Sequence, residues 1–356
     1  EIAFSPETDP YSDLVYEAAG KAFQRLQDEG ALVRESGDCL YVYRQQMGDH
    51  LQTGVALACH VDDYEQNIIR KHEKTRPVKE NDRTRLVDTL SAHTGPIFLT
   101  YKDESAIDAL VAEATAAEPT YDLTDHAGVR HTVWRVEGGA SFVEAFGRVP
   151  LSYVADGHHR SASAARVGRE RREANPDHDG SEDYNWFLGV LFSASQLKIL
   201  PYNRVVKDLN GNTLQRFLDQ VGEVFELSEA AEKEPTGEAE ARMYVAGQWY
   251  RLAWKKAGTD NPIDDLDASV LQDRLLNPVL AIDDPRTNDR IDFVGGIRGT
   301  AELEKRVDEE GWAVAFSMNP VTVEQLIAIA DADEIMPPKS TWFEPKLLSG
   351  FFVYTF

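Results

Sequence analysis

Five consecutive residues, Asp156-Gly157-His158-His159-Arg160, place a carboxylate, two imidazoles and a guanidinium on one short stretch. An apolar run, Tyr153-Val154-Ala155, precedes them and reads as a short strand; an alanine-rich run follows as far as Arg169 and reads as a helix. Strand, glycine turn and helix bring unpaired backbone N–H groups and the positive end of a helix dipole to one point. Glycine there lets the backbone approach a ligand or take a φ that other residues avoid. Phosphate, or another anion, is what such a donor set grips. The competing reading is a plain turn with Ser161 as the helix N-cap. Two adjacent histidines between Asp and Arg favour the anion.

A second stretch with chemical content runs over 68–85. From Arg70 to Arg85 it holds seven Lys/Arg against three Asp/Glu, a local excess of positive charge in a chain of net charge −24. Charge runs are as often a solvated face. This one contains His72-Glu73, a carboxylate that can act as a base, and leads into a helix predicted over 81–93. The first turn of that helix would offer amides to an anion. Arg83 and Arg85 near its start oppose the helix dipole, and a bound anion would relieve them. His72, Arg76, Arg83 and Arg85 are therefore the candidate clamp for a substrate carboxylate or a second phosphate. Position 76 is arginine where a zinc-protease motif needs its second histidine. The remaining histidines, 50, 60, 93, 126, 131 and 178, show no metal-ligand spacing. Near the end, MPPKSTWFEPK over 336–346 is rigid, basic and hydroxyl-bearing. Lys339, Ser340 and Thr341 are candidates to line a pocket, although packing by Trp342 and Phe343 explains the stretch equally well.

Periodicity supplies the elements that must position these residues. A helix is predicted over 12–29, with Val15, Ala19, Ala22, Phe23 and Leu26 on its core face. Strands over 40–45 and 53–61 read as a hairpin across Met47-Gly48-Asp49. A buried strand over 95–101, a helix over 105–115, a strand over 129–136 and a short helix over 141–146 follow. Strands over 186–192 and 197–206 read as a hairpin turning at Ser193-Ala194-Ser195. The character then changes, and a domain boundary is placed near 206. Beyond it come a helix over 212–221, a hairpin over 243–254 turning at Ala246-Gly247, and a second strand, glycine turn and helix over 292–307. That second turn lacks GxGxxG spacing, and no P-loop motif occurs anywhere. A closing strand is predicted over 350–356.

Bulk numbers set limits. With 356 residues the chain is long enough for two domains. Its net charge of −24 argues against DNA as a partner. Two cysteines, Cys39 and Cys59, cannot form a disulfide framework and suit a reducing cytoplasm. No run of about 18 apolar residues is present to span a membrane. The chain opens on Glu1 rather than methionine, as a trimmed chain would.

Six stretches, YVYRQ (41–45), KHEKTRP (71–77), HTGPIFLTY (93–101), ADGHHR (155–160), LPYNRVVKDLNG (200–211) and MPPKSTWFEPKL (336–347), resemble a bacterial family designated domain of unknown function 1015. The resemblance covers essentially the whole chain and implies a further segment ahead of Glu1. Across the HE and DGHHR stretches only, that family is similar to the free serine kinases and the ParB/sulfiredoxin-like fold. This second resemblance implies an α/β (α+β) chain with a ParB/sulfiredoxin-like mixed-sheet core. Residues 1–206 would bind nucleotide or phosphate, and 207–356 would form an additional C-terminal α/β domain, with return of its tail to the site left open.

Carried over by motif, Glu73 would be the base on a hydroxyl. Asp156, Gly157, His158, His159 and Arg160 would hold the phosphates of ATP or ADP, with Asp156 ligating Mg²⁺ or orienting His158. The implied activity is a small-molecule kinase acting on a hydroxyl compound such as free L-serine. Its partners would be nucleotide and small substrate, without DNA or membrane, with a homodimer left open. A non-catalytic nucleotide-binding regulator of the same fold is the rival reading. Sulfiredoxin-like repair would need a cysteine beside the turn, where His stands; Cys39 and Cys59 read as small core residues.

Overall fold

The computed structural model describes residues 4–356. The chain divides into two units, Glu1–Leu197 together with Pro345–Phe356, and Lys198–Glu344. The first contains, in order, α1 (Asp13–Asp28), β1 (Cys39–Met47), β2 (His50–His60), α2 (Val61–Glu65), β3 (Ile69–Arg70), α3 (Pro77–Leu90), β4 (Ala92–His93), β5 (Ile97–Tyr101), α4 (Ser105–Ala114), β6 (Tyr121–Thr124), β7 (Arg130–Glu137), α5 (Ala140–Phe146), β8 (Ser152–Asp156), α6 (His158–Ala174) and β9 (Trp186–Ser193). Eight of these strands form one mixed sheet in the order β3-β8-β5-β9-β2-β1-β7-β6. The α/β class expected from the sequence is what forms.

The hairpin anticipated around Gly48 is β1–β2, with Met47 opposite His50. Alternation along it buries Val42 and Val55, which join Leu99, Ile107, Val154 and Phe187 in one apolar core. All five residues of β5 are buried, as expected of a central strand covered on both faces.

Two expectations fail here. Helix α1 forms, yet Leu26 is exposed and Tyr16 is the helix's buried residue. The helix packs on α3 rather than on the sheet, and the Tyr16 hydroxyl donates to Asp82 at 2.8 Å. The hairpin over 186–206 also does not form. Strand β9 stays in the first sheet between β5 and β2, a 3₁₀ turn at Ala194–Gln196 follows, and Pro201, which has no N–H to give a ladder, splits the next run in two.

The second unit contains β10 (Lys198–Leu200), β11 (Tyr202–Val206), α7 (Leu214–Val224), β12 (Glu226–Glu229), β13 (Glu240–Val245), β14 (Gln248–Ala253), α8 (Asp267–Leu271), β15 (Ile291–Gly295), α9 (Gly299–Asp308), β16 (Val314–Met318), α10 (Val323–Asp331) and β17 (Trp342–Glu344). Six strands form a sheet in the order β12-β14-β13-β16-β11-β15. The β13–β14 turn falls on Ala246-Gly247 as predicted, both with positive φ, the geometry a two-residue hairpin loop needs. Val206, Phe217, Met243, Leu252, Leu275 and Phe316 form this unit's core.

The strand expected over 350–356 shrinks to β18 (Tyr354–Thr355), paired with β4 in the first unit. This buries His93 to 6% exposure, with the Phe356 ring centroid 5.3 Å away. Burial pushes the His93 pKa down to about 4 from an ordinary value of about 6.5. Below pH ~6.5 the unfolded chain takes up a proton that the folded chain refuses. Stability is therefore complete above that pH and falls toward pH ~4, by up to about 1.4 kcal/mol per pH unit for this group. Urea unfolding at pH 7 and pH 5 should show a loss about 1–2 kcal/mol smaller in His93→Gln than in the wild type. Equal losses in the two proteins would mean that His93 does not titrate in this way.

Candidate active site

Strand β3 pairs parallel with β8, Ile69 opposite Ser152 and Arg70 opposite Tyr153. Three residues beyond that pairing come Glu73 on one segment and Asp156 on the other, so both carboxylates leave the sheet at the same end. In open α/β sheets ligands sit outside the carboxyl ends of strands. Strand β8 passes into α6 through a single residue, Gly157, at φ 103° and ψ 29°. His158 is thus already helical, and the five-residue turn read from the sequence contracts to its glycine. Ser161, the alternative N-cap, lies buried inside the helix, its hydroxyl donating to the Gly157 carbonyl at 3.2 Å. The N–H groups of His158, His159 and Arg160 begin the helix and have no acceptor within it.

The Arg160 side chain folds back over this point. A Cβ on Gly157 would lie 2.9 Å from Arg160 Nε and 3.0 Å from Nη2. Arg160 Nη2 donates to Asp156 Oδ2 at 2.8 Å, and Lys346 Nζ lies 3.2 Å from Asp156 Oδ1. Burial lowers the Arg160 pKa, Asp156 opposes that, and nearby Arg83 adds to it. Two cations, Arg160 and Lys346, thus hold one carboxylate, with Arg83 near Arg160. On another side a Cβ on Gly95 would meet Arg160 Nη1 and Ser349 Oγ, each at 3.2 Å.

His72 and His158 are not charge donors. His72 and His158 are 2% and 5% exposed, their rings edge to face at 4.5 Å. Burial drives the His158 pKa down to about 3, with His159 and Lys71 contributing. Burial, then the His158 ring, drives His72 well below its ordinary value. Both are neutral near pH 7. His158 Nδ1 stands 3.9 Å from Glu73 Oε2, too far for a hydrogen bond, and His158 Nε2 is buried without one. His159 Nε2 accepts the Arg76 backbone N–H at 3.0 Å, so its ring joins the start of α3 to the first turn of α6.

Helix α3 begins at Pro77, with Arg76 as N-cap, four residues ahead of the predicted start. Proline is favoured at the first helical position because its missing N–H is not needed there. Arg83 and Arg85 therefore sit inside the helix, and the argument from the dipole at its N-terminus falls. Two residues apart on a helix, they face different ways. Arg83 is near Arg160. Arg85 pairs with Asp13 and lies 4.2 Å over the Tyr16 ring, so it fastens α3 to α1. Lys339, Ser340 and Thr341 belong to the second unit. There the Ser340 hydroxyl donates to the Pro337 carbonyl at 2.7 Å and Lys339 Nζ lies 5.4 Å over the Tyr202 ring.

Sequence reasoning missed Lys346, Gly95 and Ser349. Lys346 lay in the basic tail already singled out, five residues past Thr341, and nothing local marked it above Lys339. Among the described residues no group of three His, Cys, Asp or Glu side chains could hold a metal. Asp156 is 39% exposed and fits as a single hard oxygen ligand, the usual protein share for Mg²⁺ that arrives with phosphates. Cys59 is buried in β2, which pushes its thiol far up; it is a core residue and no nucleophile.

The family described as a protein of unknown function (DUF1015) matches residues 1–269. No curated protein matches the chain. Among solved structures, a conserved hypothetical protein from Pyrococcus furiosus is 12% identical, with 83% of this chain and 93% of that one covered at a TM-score of 0.40. A free serine kinase in complex with AMP is 12% identical, covering 83% and 88% at 0.43. SbnI with a C-terminal truncation, from Staphylococcus aureus, is 12% identical, covering 83% and 85% at 0.43.

Proposed function

The chain belongs to the DUF1015 family, and for this member we propose phosphoryl transfer from ATP or ADP to a small hydroxyl compound such as free L-serine. The observation that carries the reading is the approach of Glu73 to within 3.9 Å of His158, at the helix start where Gly157, the first α6 amides and Arg160 converge. The resemblance of the HE and DGHHR stretches to those of the free serine kinases points the same way.

Phosphoryl transfer asks a protein for positioning and charge more than for covalent chemistry. The α6 amides and Arg160 hold the transferring phosphate, with Arg83 and Lys346 adding positive charge. The acceptor hydroxyl oxygen forms the new P–O bond as the bond to the leaving phosphate breaks. Its proton passes to the Glu73 carboxylate, and the leaving phosphate keeps the electron pair, its charge facing Arg160. Neutral His158 spaces Glu73 from the glycine turn without competing for that proton. A Mg²⁺ ion held by Asp156 would supply further neutralisation of phosphate charge.

Thermal-shift titration of the full chain with ATP, ADP and AMP in the presence of Mg²⁺ tests the binding half. A nucleotide at about 100 times its Kd stabilises the fold by about 2.7 kcal/mol. Arg160→Met removes charge-assisted hydrogen bonds and should weaken binding by roughly 10- to 100-fold. Absence of a shift with every nucleotide at millimolar concentration would sink the kinase reading.

A further inference from the structure

Two of the distinctive stretches, LPYNRVVKDLNG and MPPKSTWFEPKL, take no part in the site above except through Lys346. Within the second unit they meet. Tyr202 and Arg204 from the first and Ser340 from the second line one cleft, together with Asp267, Asn319 and Gln325 among others.

Arg204 is 3% exposed. Its Nη1 donates to the Tyr202 carbonyl at 2.7 Å, and its guanidinium lies 5.6 Å over the Phe293 ring. No carboxylate among the described residues pairs with it, and burial alone lowers its pKa, to about 10. A buried cation without a counter-charge is costly. Asp267, 7% exposed, accepts the Ala239 N–H at 2.9 Å and has no ion-pair partner among the described residues. Burial pushes its pKa up to about 7, with the Ala239 N–H and Lys256 opposing and Glu238 and Glu240 adding to the rise. Arg204 and Asp267 do not pair with each other; their hydrogen-bond partners are the Tyr202 carbonyl and the Ala239 N–H. One cleft therefore holds a buried guanidinium and a buried carboxyl that leave each other unsatisfied.

We propose that this cleft binds a small carboxylate that carries a hydrogen-bond donor at its other end, the carboxylate on Arg204 and the donor toward Asp267. The guanidinium fork matches a carboxylate bidentately. A hydroxyl or ammonium donor answers Asp267, which a plain carboxylate would leave unmet and a phosphate would repel. The site is independent of the phosphoryl-transfer reading and stands if that reading fails.

Isothermal titration of the full chain with L-lactate, L-alanine, propionate and inorganic phosphate tests it. Lactate or alanine should bind about tenfold or more tightly than propionate, and whichever of the two wins names the donor as hydroxyl or ammonium. Arg204→Lys, which keeps charge but loses the fork, should weaken that binding about tenfold or more. Asp267→Asn should erase the preference over propionate. The nucleotide-induced thermal shift should be unchanged in both variants, which separates this site from the other. No heat from any carboxylate at millimolar concentration, equal affinity for all three, or tighter binding of phosphate would overturn the proposal. Should Arg204→Lys fail to fold, the propionate preference of Asp267→Asn decides the matter.

Discussion

Glu73→Gln should bind nucleotide as the wild type does and transfer phosphate roughly 10²–10⁴ times more slowly, the usual contribution of a positioned general base. The substitution keeps the side chain's shape and removes its negative charge and its ability to accept a proton. Glu73 is 38% exposed, and the His158 imidazole 3.9 Å away is held neutral by burial. The decisive comparison pairs a thermal-shift titration with a coupled assay for nucleotide consumption across hydroxyl acceptors. Intact binding with lost turnover supports the base. Intact binding with no turnover in either protein would instead favour a nucleotide-binding regulator.

Gly157→Ala should destabilise the chain by about 2–3 kcal/mol and weaken nucleotide binding more than tenfold. One part of the cost is backbone. A φ of 103° lies beyond even the left-handed region, and holding an L-residue in such a conformation costs roughly 1–3 kcal/mol. The other part is Arg160, whose Nε would stand 2.9 Å from the new methyl and must shift, which disturbs its place beside Asp156. Gly30→Ala separates the two. Gly30 also has positive φ, 71°, and a methyl there meets nothing within 4 Å. Urea unfolding should place Gly157→Ala clearly below Gly30→Ala, and only the former should lose nucleotide affinity. Equal costs and equal affinities in the two variants would remove Arg160 from the phosphate site.

The strand, glycine and helix around residue 157 were legible because each rests on local chemistry: a short apolar run, a residue free to take positive φ, then alanines. The β1–β2 and β13–β14 hairpins were legible for the same reason, since Gly48 and Gly247 sit where tight turns need them. The partner of each element was not. Helix α1 shows its stripe clearly, yet nothing in it says that the stripe meets α3 rather than the sheet. The start of α3 carried its own signal, Pro77, which the charges around it obscured. The approach of Glu73 to His158 depends on a two-residue parallel pairing of β3 with β8 across three intervening helices and four strands. Lys346 reaches Asp156 from 190 positions away. Contacts of that range leave no periodicity to read.

The dependence of the first unit on Pro345–Phe356 has a temporal side. Gln45 donates to the Lys346 carbonyl across 301 positions, and Tyr354 closes on His93. On the ribosome the residues that complete the first unit emerge only after all of Lys198–Glu344. The eight-stranded sheet can assemble early, but β4 waits for its partner and Asp156 for Lys346. During synthesis the candidate anion site therefore stays incomplete until Lys198–Glu344 has been made.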